Sequence, residues 1–230
     1  KELLPILHGD AQTVTGKTVA ENVSNVAAPK PTIIKTIEDP WHKEGGLAVL
    51  KGNLAPHTAV TKPAAIQPDM HMFTGKAHCF NSEEAANEAI LAGSVTAGEV
   101  VVIRFDVPIG GPGMREMYKA MKLRYGRGLE LKSALVTDGR FSGTNNGCFV
   151  GHISPEAAEG GPLAIVEDGD EITIDIANRK LHIHLSDADI QNRLTKWKRP
   201  AAKFKSGYLA LYSRLAESAE KGAIIRHKLE

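Results

Sequence analysis

Two glycine-rich loops, each at the end of an apolar, β-branched run, constrain this chain more than any other feature. The first run, Val100-Val101-Val102-Ile103-Arg104-Phe105, opens into Pro108-Ile109-Gly110-Gly111-Pro112-Gly113-Met114-Arg115-Glu116-Met117. The second, Ser133-Ala134-Leu135-Val136, opens into Thr137-Asp138-Gly139-Arg140-Phe141-Ser142-Gly143-Thr144-Asn145-Asn146-Gly147, and a third apolar run, Cys148 to Ile153, leads out. Short apolar runs bounded by turn residues read as buried strands. Gly and Asn accept positive φ, so each loop is a tight, non-repetitive turn at a strand end. Gly139 and Gly143 would let a ligand come close to the backbone. Binding and catalytic groups collect on loops held by rigid strands. Two such loops after two buried strands therefore predict one site built from both.

The chain is long enough for a sizeable core, with 230 residues of which 42% are hydrophobic. A net charge of +1 gives no reason to expect nucleic acid or a membrane surface as partner. Only two cysteines are present, Cys79 and Cys148, so no disulfide framework is expected and a reducing, cytoplasmic setting is the default. No apolar run approaches the roughly 20 residues that a membrane span requires.

Read in order, the chain gives a mixed α/β domain with many short strands. Residues 1–40 are a lead-in, with a short helix near Leu3 to Leu7 and an irregular, proline-containing stretch after Asn22. Within it, Thr13 to Thr18 looks like half a phosphate loop, but Ala11 stands where the full pattern needs glycine. Leu47 to Leu50 predicts a strand, and Thr61 to Pro68 a loop. Phe73 to Phe80 predicts a strand followed by a helix capped at Asn81 or Ser82 and stopped by Gly93. Met117 to Tyr125 predicts a helix. Ser154-Pro155-Glu156 predicts a helix start, with Pro155 at the first helical position. Leu163 to Val166, Glu171 to Ile176 and Lys180 to Leu185 predict a β-meander. Two helices follow, from Ser186 to about Trp197 and from Gly207 to Ala219.

The ordered motifs carry a resemblance. V-V-I-R-x-x-x-P-x-G-G-P-G-M-x-E-M, then T-D-G-R-F-S-G, then V-G-H-I-S-P-E-A-A-E-G-G-P-L-A-I-V-E-D-G-D resemble the C-terminal part of the dihydroxy-acid dehydratase / 6-phosphogluconate dehydratase family. Gly45 to Pro56 and Thr13 to Thr18 fit the same family. The dihydroxy-acid branch is the nearer, because D-G-R-F-S-G and the S-P-E-A-A-E-G-G-P run are typical there. The resemblance implies a β-barrel-like core of mixed short strands flanked by helices, similar to the swivelling domain of aconitase-type enzymes. It implies an interdomain segment over 1–40 and a dehydratase domain over 41–230, with a cluster-binding N-terminal domain that would normally come first. The chain opens on Lys1 rather than Met, which agrees with an excised domain, inactive alone. The activity implied is hydro-lyase chemistry on a small-molecule 2,3-dihydroxy acid, in branched-chain amino-acid synthesis. The partners implied are the protein's own N-terminal domain and a second copy in a homo-oligomer, such as a homodimer. A sugar-acid dehydratase and a non-catalytic swivelling module are the alternatives.

Ser142 is the candidate catalytic residue. A serine hydroxyl is a poor base unless a neighbour or a cation lowers its pKa. The matching family serine acts as an alkoxide that removes the α-proton. Glu116 is the candidate Mg²⁺ ligand, because the glycines before it let the backbone bring its carboxylate to a pocket and Mg²⁺ favours hard oxygen ligands. The matching family position is such a ligand. Arg140, Gly143 and Thr144 are candidates to hold the substrate carboxylate or to orient Ser142, and a structural ion pair is an equal reading for Arg140. The family usually reads G-M-P-E where this chain has Gly113-Met114-Arg115-Glu116, so Arg115 loosens the backbone and places a cation beside Glu116. The iron–sulfur cluster that the family uses needs three or four thiolates. Its ligands are therefore expected in the N-terminal domain, with Cys148 a core thiol. His152 reads as a core histidine. His182 and His184 share a strand face without reading as a metal site. An exposed apolar patch is expected where the N-terminal domain would dock.

Overall fold

A computed structural model describes residues 1–27, 30, 32–113, 115–141 and 147–226. The chain forms two compact units, residues 1–45 and 46–230.

The first unit is small. Its one α-helix, α1 (Val19–Val23), begins with a capping box in which the Thr18 hydroxyl accepts the Glu21 N–H and the Glu21 carboxylate accepts the Thr18 N–H. The phosphate-loop-like stretch closes on itself: the Thr13 hydroxyl donates to the Lys17 carbonyl over 2.7 Å and accepts from the Asn22 amide over 2.8 Å. This segment, expected to be irregular after Asn22, thus has a defined turn and a helix that runs through Asn22 to Val23.

The second unit is a closed eight-stranded barrel flanked by helices. Its strands are β1 (Ala48–Gly52), β2 (Ala55–Thr61), β3 (Met72–Phe80), β4 (Glu99–Ile103), β5 (Ala134–Thr137), β6 (Cys148–Ser154), β7 (Glu171–Asp175) and β8 (Lys180–Ile183), in the order β1-β2-β6-β5-β4-β3-β7-β8. The pairs β3/β4, β4/β5 and β5/β6 are parallel. Strands β4 and β5 are the apolar runs that lead into the two loops. They are buried almost throughout, as central parallel strands covered on both faces must be. By contrast β7 and β8 pair antiparallel, and β8 alternates exposed with buried positions. The barrel closes where Lys51 of β1 pairs with Lys180 of β8. There the chain passes so close that a Cβ on Gly52 would lie 1.9 Å from the Leu181 carbonyl oxygen.

Helices α2 (Glu83–Ala92) and α3 (Tyr118–Gly126) pack together outside the barrel. Ser82 caps α2 by accepting the Ala85 N–H, and Gly93 ends it at φ +80°. Helices α4 (Asp187–Lys196) and α5 (Gly207–Leu215) complete the unit, α4 capped by Ser186.

Two of the expected elements need correction, and one strand was not expected. Leu163 to Val166 is not a strand. It forms most of a 3-10 turn, Pro162–Ile165, buried on all sides, so the meander reduces to the β7/β8 hairpin. Pro155 is not a helical residue: the helix starts later, as the single 3-10 turn Ala157–Glu159 with Glu156 at its cap. The stretch from Ala55 to Thr61 is a full strand, β2, although Pro56 and His57 gave it no apolar pattern; its Ala55, Ala59 and Thr61 alone are buried.

Candidate functional site

The two loops meet. Both leave the C-terminal ends of adjacent parallel strands, where Ile103 pairs with Thr137. In open parallel sheets ligands bind at those strand ends, and this part of the barrel has the same local geometry. The first loop returns to the second at Glu116, which forms an isolated parallel bridge with Arg140, and the Met117 N–H donates to the Arg140 carbonyl over 2.7 Å. Glu116 and Arg140 are both exposed. Among the described residues neither side chain is engaged in an ion pair. The structure thus brings together two of the predicted site residues. Ser142, Gly143 and Thr144 lie outside the described residues.

Buried carboxylates fasten the loops. Asp138, 1% exposed, follows β5 directly and accepts the N–H groups of Phe105 (3.2 Å), Asp106 (3.5 Å) and Ala157 (3.0 Å). Burial pushes its carboxyl up to about 6, against the pull of those three donors. Asp106 accepts the Glu83 N–H over 2.7 Å and the Lys203 ammonium over 2.8 Å. Glu156 accepts the Gly110 N–H over 3.3 Å, while its Oε1 has no partner among the described residues. Burial, and next the charge of Asp138, push its carboxyl up to about 8. Sequence reasoning assigned Asp138 and Asp106 no role and read Glu156 only as part of a helix start. The signal was present: an acid directly after a fully apolar strand is unusual unless its lone pairs are claimed by backbone donors.

The glycines serve this packing. A Cβ on Gly111 would lie 2.5 Å from the Phe105 carbonyl oxygen, and one on Gly110 would lie 2.8 Å from the Ala158 Cβ. Gly139, expected to admit a ligand, is instead filled by the protein, since a Cβ there would lie 2.6 Å from the Met117 methyl. Gly151 leaves room for the Phe141 ring, which meets Phe149 edge to face at 4.3 Å. Phe105 (φ +66°) and His152 (φ +52°) hold left-handed backbone conformations beside the two loops. Non-glycine residues stay in that region only when the surroundings fix them. The half-buried His152 donates its N–H to the Gly139 carbonyl over 2.8 Å. Burial first, and the Arg140 charge second, hold its imidazole pKa down. It is thus part of the loop frame rather than a core histidine alone.

Arg115, the departure noted before Glu116, turns to helix α2. Its guanidinium lies 2.6 Å from Glu84 and 3.6 Å from the buried Glu83. Its charge is therefore compensated away from Glu116.

The C-terminal domain of the dihydroxy-acid/6-phosphogluconate dehydratases matches residues 32–223 of the chain. The chain belongs to this family. Its similarity to the dihydroxy-acid dehydratase of Acetivibrio thermocellus is 51% identity over 223 residues, covering 97% of this chain and 40% of that one. The dihydroxy-acid dehydratase of Caldanaerobacter subterraneus subsp. tengcongensis is 51% identical over 221 residues, covering 96% and 40%. That of Aquifex aeolicus is 51% identical over 227 residues, covering 98% and 41%. The chain thus spans about 40% of the length of these relatives. The buried acids hold the backbone of the loops that carry Glu116 and Arg140.

Among the described residues no three His, Cys, Asp or Glu side chains converge to hold a metal ion. Glu116 is an exposed hard-oxygen donor of the kind that Mg²⁺ accepts. The cysteines do not fit an iron–sulfur cluster. Burial pushes the thiols of both Cys79 and Cys148 up to about 12, and cluster ligands must be thiolates. His182 and His184 stack edge to face at 5.3 Å, and His184 shares a 2.8 Å hydrogen bond with Thr173. No helix among the described residues is long and apolar enough to cross a membrane.

Proposed function

We propose that this chain is the C-terminal domain of a dihydroxy-acid dehydratase, a hydro-lyase that converts a 2,3-dihydroxy acid to the 2-oxo acid in branched-chain amino-acid synthesis. The observation that carries the reading is the Glu116–Arg140 bridge, which joins the two family loops at the ends of parallel strands. The domain division at about residue 40, and a cluster-bearing N-terminal domain as partner, belong to this reading. So do a homodimer and a cytoplasmic setting.

In this account Ser142 takes the α-proton, and Arg140 with Gly143 and Thr144 orients the substrate carboxylate. Glu116 holds Mg²⁺ together with ligands from the N-terminal domain. When bound, the iron–sulfur cluster and Mg²⁺ supply Lewis acidity at the departing 3-hydroxyl and beside Ser142. Loss of the α-proton and of the 3-hydroxyl, together one water, leaves an enol that tautomerises to the 2-oxo acid. Asp138, Asp106 and Glu156 touch no substrate. They fix the loop backbones, because a shift of about 1 Å in a reacting group can cost about a hundredfold in rate.

The relatives' names support the dihydroxy-acid substrate over a sugar acid. Parallel assays of the full-length protein, reconstituted anaerobically with iron, sulfide and Mg²⁺, decide between them. Turnover of 2,3-dihydroxyisovalerate and none of an aldonic acid is expected. The reverse pattern would move the protein to the sugar-acid branch.

A further inference from the structure

A cavity of about 730 Å³ lies beside the first loop, between Phe105 to Gly110 and the C-terminal segment that carries α5. Its walls are of two kinds. Phe105, Ile109, Phe204 and Ala210 give it an apolar side. Four cations, Arg199, Lys203, Arg214 and Arg226, share the remaining lining with one acid, Glu159, and with small side chains. Two of the cations are already engaged: Lys203 with Asp106 at 2.8 Å, and Arg226 with Glu217 at 3.9 Å. Arg199 and Arg214 have no ion pair or hydrogen bond from their guanidinium groups among the described residues. The stretch feeding the cavity is itself basic: Lys196, Lys198, Arg199, Lys203 and Lys205 occur with no acid among residues 196–205. In a chain whose net charge is only +1, this is a local excess of positive charge.

We propose that this cavity is a binding site for a small organic carboxylate with a short aliphatic body, separate from the Glu116–Arg140 rim. Guanidinium groups bind carboxylates through paired, charge-assisted hydrogen bonds. The apolar wall takes the aliphatic part, in the usual division of small-molecule sites into an apolar lining and a few placed polar groups. Lys203 couples the site to the loops, because its ammonium also donates to the Phe105 carbonyl over 2.9 Å. Occupancy would therefore be felt at Phe105, whose N–H is held by Asp138. The inference does not rest on the proposed dehydratase activity, since it concerns binding by this chain alone.

The test is calorimetric titration of the 230-residue chain with isovalerate, with inorganic phosphate and with sodium chloride, repeated on Arg199→Ala and Arg214→Ala. Saturable binding of isovalerate is expected, weakened about tenfold or more in each variant, with unchanged circular dichroism. Phosphate binding that equals isovalerate would show an anion site without an organic preference and overturn the aliphatic part of the proposal. No saturable heat, equal binding in the variants, or an effect matched by sodium chloride would overturn the site itself.

Discussion

Glu116 and Arg140 face each other across an isolated parallel bridge, and the Met117 amide donates to the Arg140 carbonyl over 2.7 Å. The first loop thus leaves β4 and returns to pair with the chain just beyond β5. The parallel partnership of β4 and β5 is resumed after the loop, which places an acid and a base from distant segments on one rim.

The buried acids predict a pH dependence. The Glu156 carboxyl is pushed up to about 8 from 4.5. The folded chain then keeps a proton that the unfolded chain releases, so stability from this group is fully present below pH 4.5 and falls as pH rises towards 8. Asp138, pushed up to about 6 from 3.8, acts in the same direction over a lower window. Glu156→Gln should therefore match the parent near pH 5 and exceed its stability near pH 8.5, by on the order of 1–3 kcal/mol. Urea unfolding at the two pH values measures this. A parent-to-variant difference that does not change with pH would contradict the assignment.

The barrel seam is tight. A Cβ on Gly52 would lie 1.9 Å from the Leu181 carbonyl oxygen, which is backbone and has little room to move. Gly52→Ala should cost about 1–3 kcal/mol, while Gly98→Ala, with nothing within 4 Å but φ +85°, should cost only its backbone strain of about 1 kcal/mol. Denaturation midpoints in the order parent, Gly98→Ala, Gly52→Ala are expected.

Arg115 is half-exposed, and its pairing with Glu84 lies at the surface. Arg115→Ala should therefore cost less than about 1 kcal/mol, and the cost should shrink in 1 M salt. A loss of several kcal/mol would mean that the buried Glu83 depends on this guanidinium.

The sequence shows the loops and their strands because both signals are local. β-branched residues fill Val100 to Ile103, and glycines with asparagines mark the turns. It also shows α2 and α4, whose Ser82 and Ser186 caps precede acids in the first turn. It hides β2, where alanine and threonine meet the core instead of larger apolar side chains. It misleads at Leu163 to Val166, because a short apolar run surrounded by protein has no period that separates strand from 3-10 turn. What holds Asp138 and Glu156 was hidden for another reason. Their partners are backbone groups of segments distant in sequence, and only the closed barrel brings those together.

The central claim is that the bridged loops form the dehydratase rim, and its most direct test is Mg²⁺-dependent turnover of 2,3-dihydroxyisovalerate by the anaerobically reconstituted full-length protein. Parent, Ser142→Ala and Glu116→Gln would be compared. The account predicts that Ser142→Ala loses at least about a hundredfold in kcat, and that Glu116→Gln needs about tenfold more Mg²⁺ or more to reach half its maximal rate. Parental rates and parental Mg²⁺ dependence in both variants would contradict it.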